Sequence, residues 1–143
     1  MTYKLIYLAG AITGLDGFVA NAWRKTVSKL IDGIDFDGIH WRTVNPYEHI
    51  PNEINETVER EQMAWDIWKV KKCDLVICDF DHPTSIGTSF ELAIAREHGI
   101  PIIGLKTDPE VQLHPWWQMS ADHIATSIHD LYDYLYEHYL YDN

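Results

Sequence analysis

Five short apolar runs, separated by stretches of helical period, constrain this chain more than any other feature. They are YKLIYLA (3–9), WRTVNP (41–46), DLVICDF (74–80), PIIGLK (101–106) and HIATS (123–127). Each has the length of a strand, and most are apolar at successive positions, so both faces of the sheet they form must be covered. Between them, residues 17–31 place Phe18, Ala22, Val27, Leu30 and Ile31 at roughly helical spacing, and residues 55–72 predict a helix with Val58, Met63, Ile67 and Val70 inward. Residues 86–98 predict a third helix, with Phe90, Leu92, Ile94 and Ala95 suited to burial and Gly99 as its stop. Residues 127–140 predict a closing helix capped by Ser127 and Asp130, and the Pro- and Trp-rich stretch after Lys106 reads as a loop. This alternation predicts an α/β fold: a doubly wound parallel sheet of about five strands with helices on both faces, one domain over residues 1–143. Sheets of that kind bind ligands beyond the carboxyl ends of their strands. The loops that matter are therefore those after Ala9, Val44, Phe80 and Lys106.

Charge narrows the partners. The chain of 143 residues is 46% hydrophobic, too apolar for disorder, and carries a formal net charge of −11. That field repels phosphate backbones and anionic lipid, so neither a nucleic acid nor a membrane surface is expected as partner. A small anionic ligand stays compatible, because a helix N-terminus attracts anions locally. Cys73 and Cys78, if both lie in one strand, point to opposite faces and cannot bridge. Two buried thiols fit a reducing cytoplasm. The apolar start LIYLAGAI reads as a strand rather than a signal, and no run approaches the roughly 20 apolar residues of a membrane span.

Two loops and one helix carry the chemistry. The first loop, AGAITGLDG, has glycines at 10, 14 and 17 but neither the dinucleotide fingerprint nor a Walker lysine. It is either a close backbone approach to a ligand or an ordinary turn. In DFDHPTSIGTSFE, Ser85, Gly87 and Thr88 open a helix whose free N–H groups attract anions. Glu91 follows Gly87 and Thr88 on the same face, toward the crevice. The helix end is expected to favour its carboxylate, a nucleophile or base; the alternative is a solvated surface glutamate. In MAWDIWKVKK, Asp66 lies beside Trp65 and Trp68. Either it is partly desolvated and proton-holding, or it pairs with Lys69 or Lys72 in solvent. Six tryptophans read mainly as packing, with stacking on a nucleobase as the other use. The eight histidines form no zinc-ligand pattern and no GxSxG elbow is present, so no metal, no cofactor and no serine triad are expected.

Taken together, IYLAGAITG, NPYEH, WDIWKVKKCDLVICDFD and SIGTSFELAIA resemble the nucleoside 2-deoxyribosyltransferase family over most of residues 4–106. That family includes relatives that hydrolyse the N-glycosidic bond of nucleoside 5′-monophosphates. The resemblance implies a flavodoxin-like fold and no cofactor. It implies Glu91 as the nucleophile that holds the sugar covalently, Asp66 as the acid that assists the base, and Tyr7 as the phenol that orients Glu91. Gly10, Ile12, Ser85, Gly87 and Thr88 would contact nucleoside, nucleotide or nucleobase, and Met119 would enter a neighbouring subunit's site, implying a homo-oligomer. One departure matters. The transferases carry an aspartate where Ser85 stands, whereas the monophosphate hydrolases carry a serine that binds the 5′-phosphate. The family match favours transfer of a deoxyribosyl group between bases; Ser85 favours hydrolysis of monophosphates. Against phosphate, the first loop has Asp16 and no arginine, and Arg24 stands a turn or two into the helix. Two further readings are a non-catalytic nucleotide-binding module and a phosphoribohydrolase of the cytokinin-activating type, whose glycine pair is replaced here by Ser85 and Ile86.

Overall fold

A computed structural model describes residues 2–50 and 55–141. The strands are β1 (Thr2–Ala9), β2 (Asp35–Phe36), β3 (Ile39–Val44), β4 (Leu75–Asp79), β5 (Ile102–Leu105) and β6 (His123–Ala125). The helices are α1 (Gly17–Ile31), α2 (Glu56–Lys72), α3 (Ile86–Glu97), α4 (Pro115–Ser120) and α5 (Ile128–Leu135), with a 3-10 turn at Pro46–His49 and a π-helical turn at Tyr136–Leu140. The sheet order is β2-β3-β1-β4-β5-β6, and every neighbouring pair is parallel except β2 with β3. Without the two-residue β2, the five parallel strands follow the order 2-1-3-4-5 of the flavodoxin-like doubly wound sheet. The chain direction reverses across the sheet at β1, so the crevice opens beyond the end of that strand.

The sixth strand is a hairpin extension. Asp37 and Gly38 both have positive φ, 51° and 81°, the two-residue turn whose twist suits a β-ribbon. Period-two alternation along β1 then divides the core. Ile6 and Leu8 join Val27, Ile31, Leu131 and Leu135 under α1 and α5. Tyr7 and Ala9 join Val70, Leu92, Ala95 and Trp117 under α2, α3 and α4. Tyr7 sits in register with Val44 on one side and Val76 on the other, at the centre of the sheet.

Several expectations change. The stretch after Lys106 contains α4, started by the His114 side chain accepting from the Trp116 N–H, with Pro115 in its first turn. Cys73 caps α2 and precedes β4 instead of lying in the strand; both thiols are free and buried. Phe18 is 79% exposed, Met63 54% and Phe90 56%, so none is a core residue. The inward stripe of α1 is Ala20, Arg24, Val27 and Ile31. No helix among the described residues is long and apolar enough to cross a membrane.

Candidate active site

The central residue is Tyr7, wholly buried on β1, with a hydroxyl that makes no hydrogen bond. Isolated buried hydroxyls are unfavourable, so this one has a reason to be there. Its surroundings are acidic. Glu91, buried on the second turn of α3, and Asp66, half-buried on α2, both act on the phenol and push its ionisation far above the ordinary range, after burial itself. Tyr7 is thus a neutral donor facing two carboxyls.

Those carboxyls are themselves perturbed. Burial, opposed by the Tyr7 hydroxyl, reinforced by Asp66 and opposed again by Arg24, pushes Glu91 up to about 8. Burial pushes Asp66 up to about 6, against the amide of Gln62 and the Tyr7 hydroxyl. The Gln62 Nε2 donates to the Asp66 Oδ1 at 2.9 Å, which fixes the carboxyl along the helix. Asp66 is therefore not the solvent-side partner of a lysine. Lys69 and Lys72 lie instead over the Trp68 ring. The expectation that the helix end holds Glu91 ionised is overturned. Helix-end electrostatics fade within the first turn, whereas Glu91 sits in the second, where desolvation wins. Of the two acids, Glu91 holds its proton to the higher pH.

The remaining expected positions divide. Ser85 is the N-cap of α3, its Oγ accepting from the Thr88 N–H at 3.1 Å. Thr88 is buried and its hydroxyl has no partner. Gly87 faces open space, with only the Ser85 Oγ near an added Cβ. Gly10 has no room for a side chain: a Cβ there would meet the Asp79 Cβ at 3.0 Å and Trp23 at 3.1 Å. Ile12 is half-buried in the loop beyond it, where its carbonyl accepts from the Leu15 N–H. Met119, 77% exposed on α4, lines a groove of about 660 Å³ with Ser85, Ile86, Leu92, Trp116 and Trp117. That groove includes Ser85 but not Tyr7, Asp66 or Glu91, so the chain does not carry its own Met119 to the three.

A second cavity, of about 390 Å³, lies between the 3-10 turn and α2. His49, Val58, Glu61, Gln62 and Trp65 line it, with the His49 and Trp65 rings 4.6 Å apart. Gln62 joins this cavity to Asp66 directly.

Asn45 and Asp79 near the crevice escaped the sequence reading, and the contacts of Arg24 were not foreseen. Arg24 is fully buried, and its guanidinium reaches back under the first loop to backbone carbonyls of Leu8, Gly10 and Ala20. Asn45, at the end of β3, donates to the Asn21 Oδ1 at 2.9 Å. Asp79, at the end of β4, accepts from the Asp81 N–H and lies 2.8 Å from the His82 Nδ1. For Arg24 the signal existed: it occupies the same helical stripe as Ala20, Val27 and Ile31, a charge at an inward position. Among the described residues no group of three or more His, Cys, Asp or Glu is placed to hold a metal ion.

The fold is shared with solved structures. A 2-deoxyribosyltransferase from the psychrotolerant bacterium Bacillus psychrosaccharolyticus superposes with a TM-score of 0.73 at 16% identity, covering 92% of each chain. A conserved protein from Enterococcus faecalis V583 gives 0.72 at 18% identity, over 95% of this chain and 99% of the other. The CMP N-glycosidase of Clostridium botulinum gives 0.57 at 22% identity, over 94% of this chain and all (100%) of the other. No curated protein matches the chain in sequence. Residues 4–104, which carry Tyr7, Arg24, Asp66 and Glu91, match the family described as a domain of unknown function, DUF4406, and the chain belongs to that family.

Proposed function

We propose that the protein cleaves the N-glycosidic bond of a (2′-deoxy)nucleoside and transfers the sugar to another nucleobase, with Glu91 as covalent nucleophile. The observation that carries this reading is the meeting of two buried or half-buried acids around one buried, unpartnered phenol. Such an arrangement costs stability and does nothing for packing, which argues for chemistry over a passive binding module. A Glu91 oxygen attacks C1′. The electrons of the C1′–N bond leave with the base, and the proton of Asp66 goes to the base nitrogen. In the second half an incoming base returns its N–H proton to Asp66 while its nitrogen displaces Glu91 from C1′. The Tyr7 hydroxyl, without a hydrogen-bond partner in the free protein, would donate to Glu91 in the reacting complex and hold it in line. Glu91 holds its proton to a higher pH than Asp66 before substrate binds, so the reaction needs that proton passed to Asp66 as the nucleoside enters, leaving Glu91 ionised for attack.

The aromatic cavity beside Asp66 suits the base, with Trp65 and His49 as walls. A transferase and a nucleotide N-glycosidase among proteins of the same fold support the reaction class. Hydrolysis of nucleoside 5′-monophosphates is the second reading. Ser85, with open space over Gly87 at the start of α3, favours it, because that helix end accepts a phosphate where an aspartate would repel one. In that case water replaces the incoming base. The exposed groove on α3 and α4 is the face a second copy would cover, lending Met119 to its neighbour's site. The two free, buried thiols fit a cytoplasmic setting.

The test is incubation with deoxynucleosides and with monophosphates, with and without an acceptor base, followed by intact-protein mass spectrometry. The expected result is a sugar adduct mapped to Glu91, with turnover reduced at least ten-thousandfold by Glu91→Gln. Base exchange on free nucleosides supports transfer, and base release from monophosphates alone supports hydrolysis. Full turnover in Glu91→Gln overturns the mechanism.

A further inference from the structure

The cavity between the 3-10 turn and α2 carries hydrogen-bond acceptors along the stripe that leads away from Asp66. On α2, Val58, Glu61, Gln62, Trp65 and Asp66 recur at i, i+3, i+4, i+7 and i+8, so they share one side of the helix. The first four of these line the cavity of about 390 Å³, and Gln62 ties it to Asp66. The His49 and Trp65 rings, 4.6 Å apart and tilted by 40°, leave no gap for a base between them and form one aromatic wall. A base laid on that wall with its glycosidic nitrogen toward Asp66 points its remote edge back along the stripe. Glu61 stands there, about 7.5 Å from Asp66 along the helix axis.

The free polar groups at that edge accept and do not donate. Gln62 commits its amide N–H to Asp66, Nε2 donating to Oδ1 at 2.9 Å. Turning the amide over would set its oxygen against that carboxyl oxygen, so Oε1 is the amide group left for a ligand. Glu61 adds a carboxylate one residue earlier. Among the described residues neither Oε1 nor the Glu61 carboxylate accepts a hydrogen bond, and no lysine or arginine lines the cavity. The ring nitrogens of His49 and Trp65 belong to the aromatic wall, with Trp65 one turn nearer Asp66 than Glu61. A nucleobase with an exocyclic amine at its remote edge, such as cytosine or adenine, gives donors to these acceptors. A keto group there, as in uracil or hypoxanthine, sets oxygen against oxygen and leaves polar groups unpaired. We propose that Gln62 and Glu61 select aminated bases over their keto counterparts, with the Gln62 amide held in its reading orientation by Asp66. This rests on the glycosidic-bond reading and names the class of base that reading leaves open.

The test compares deoxycytidine with deoxyuridine, as nucleosides and as 5′-monophosphates, in the native protein, Gln62→Met and Glu61→Gln, with kcat/KM for base release or exchange as the readout. The native protein is expected to favour cytosine about a hundredfold. Gln62→Met keeps the length of the side chain and is expected to cut that preference about tenfold or more. Glu61→Gln, at an exposed position, supplies a donor and is expected to raise the uracil rate and narrow the ratio several-fold. A Gln62 that only holds Asp66 slows both bases alike and leaves the ratio unmoved, which overturns the proposal, as does a native protein indifferent between the two. If Gln62→Met does not fold, Glu61→Gln decides: an unchanged ratio overturns the proposal, and a narrowed one supports it. A native protein that cleaves no glycosidic bond refutes the proposed function instead. Calorimetry with free cytosine and free uracil then still judges the cavity, tighter binding of cytosine supporting the selection and equal affinities overturning it.

Discussion

Replacing Tyr7 with phenylalanine should make the protein more stable and less active. The ring is buried in the core beneath α2 and α3, and phenylalanine fills the same space. What disappears is a buried hydroxyl with no hydrogen-bond partner. An unsatisfied buried polar group costs about 1–3 kcal/mol. Part of that is returned by its attraction for the neighbouring carboxyls, leaving a gain of about 1 kcal/mol. For a chain of this size that raises Tm by roughly 2–4 °C. Activity moves the other way. Without the hydroxyl, Glu91 loses the donor that orients it, and kcat/KM should fall about a hundredfold. Calorimetry at pH 7 and a base-release assay on the same preparation read both effects. A variant destabilised by about 1 kcal/mol, the ordinary loss of a made hydrogen bond, would show that the hydroxyl is structural. Unchanged turnover would show that it does not orient the nucleophile.

Two further outcomes follow from the site. Glu91 rises from its ordinary 4.5 to about 8 on folding, so the folded state binds that proton more tightly. Stability should therefore be greatest below about pH 4.5 for this group and decline as pH climbs to about 8; Asp66, raised to about 6, adds in the same direction. Urea unfolding between pH 5 and 8 should lose on the order of 3 kcal/mol, and Glu91→Gln should flatten the slope; a rising profile contradicts the burial argument. Trp65→Ala, which removes a wall of the cavity beside Asp66, should raise KM about tenfold while leaving the Glu91 titration in place. An unaltered KM removes that cavity as the base site.

The sequence carried most of the architecture because buried parallel strands write themselves as continuous apolar runs, and residues 17–31 matched α1 at both ends. It carried less where two signals competed. Asp37–Gly38 is a strong hairpin signal, but a two-residue strand leaves no period to read. His114–Pro115 is a sound helix start, yet Pro and Trp made the segment look like loop. Phe18, Met63 and Phe90 misled because apolarity alone does not say which face of a helix is covered. The three candidate side chains, Tyr7, Asp66 and Glu91, were legible through their motifs. Their protonation was not, since burial depends on what the other helices bring. What Arg24 does hold was not legible: its reach runs backward, under the loop, to the Leu8 and Gly10 carbonyls.

The first loop hangs between two anchors. At one end the Gly10 carbonyl is gripped by Arg24, and the space above its Cα is filled by Asp79 and Trp23. At the other end the Asp16 carboxylate ties itself to the Phe18 N–H. Residues 12–15 arch between these two fixed points, tied across by the Leu15 N–H donating to the Ile12 carbonyl. A change of length in that short arch would thus be absorbed between two pinned ends, leaving the strand and the helix it connects where they are.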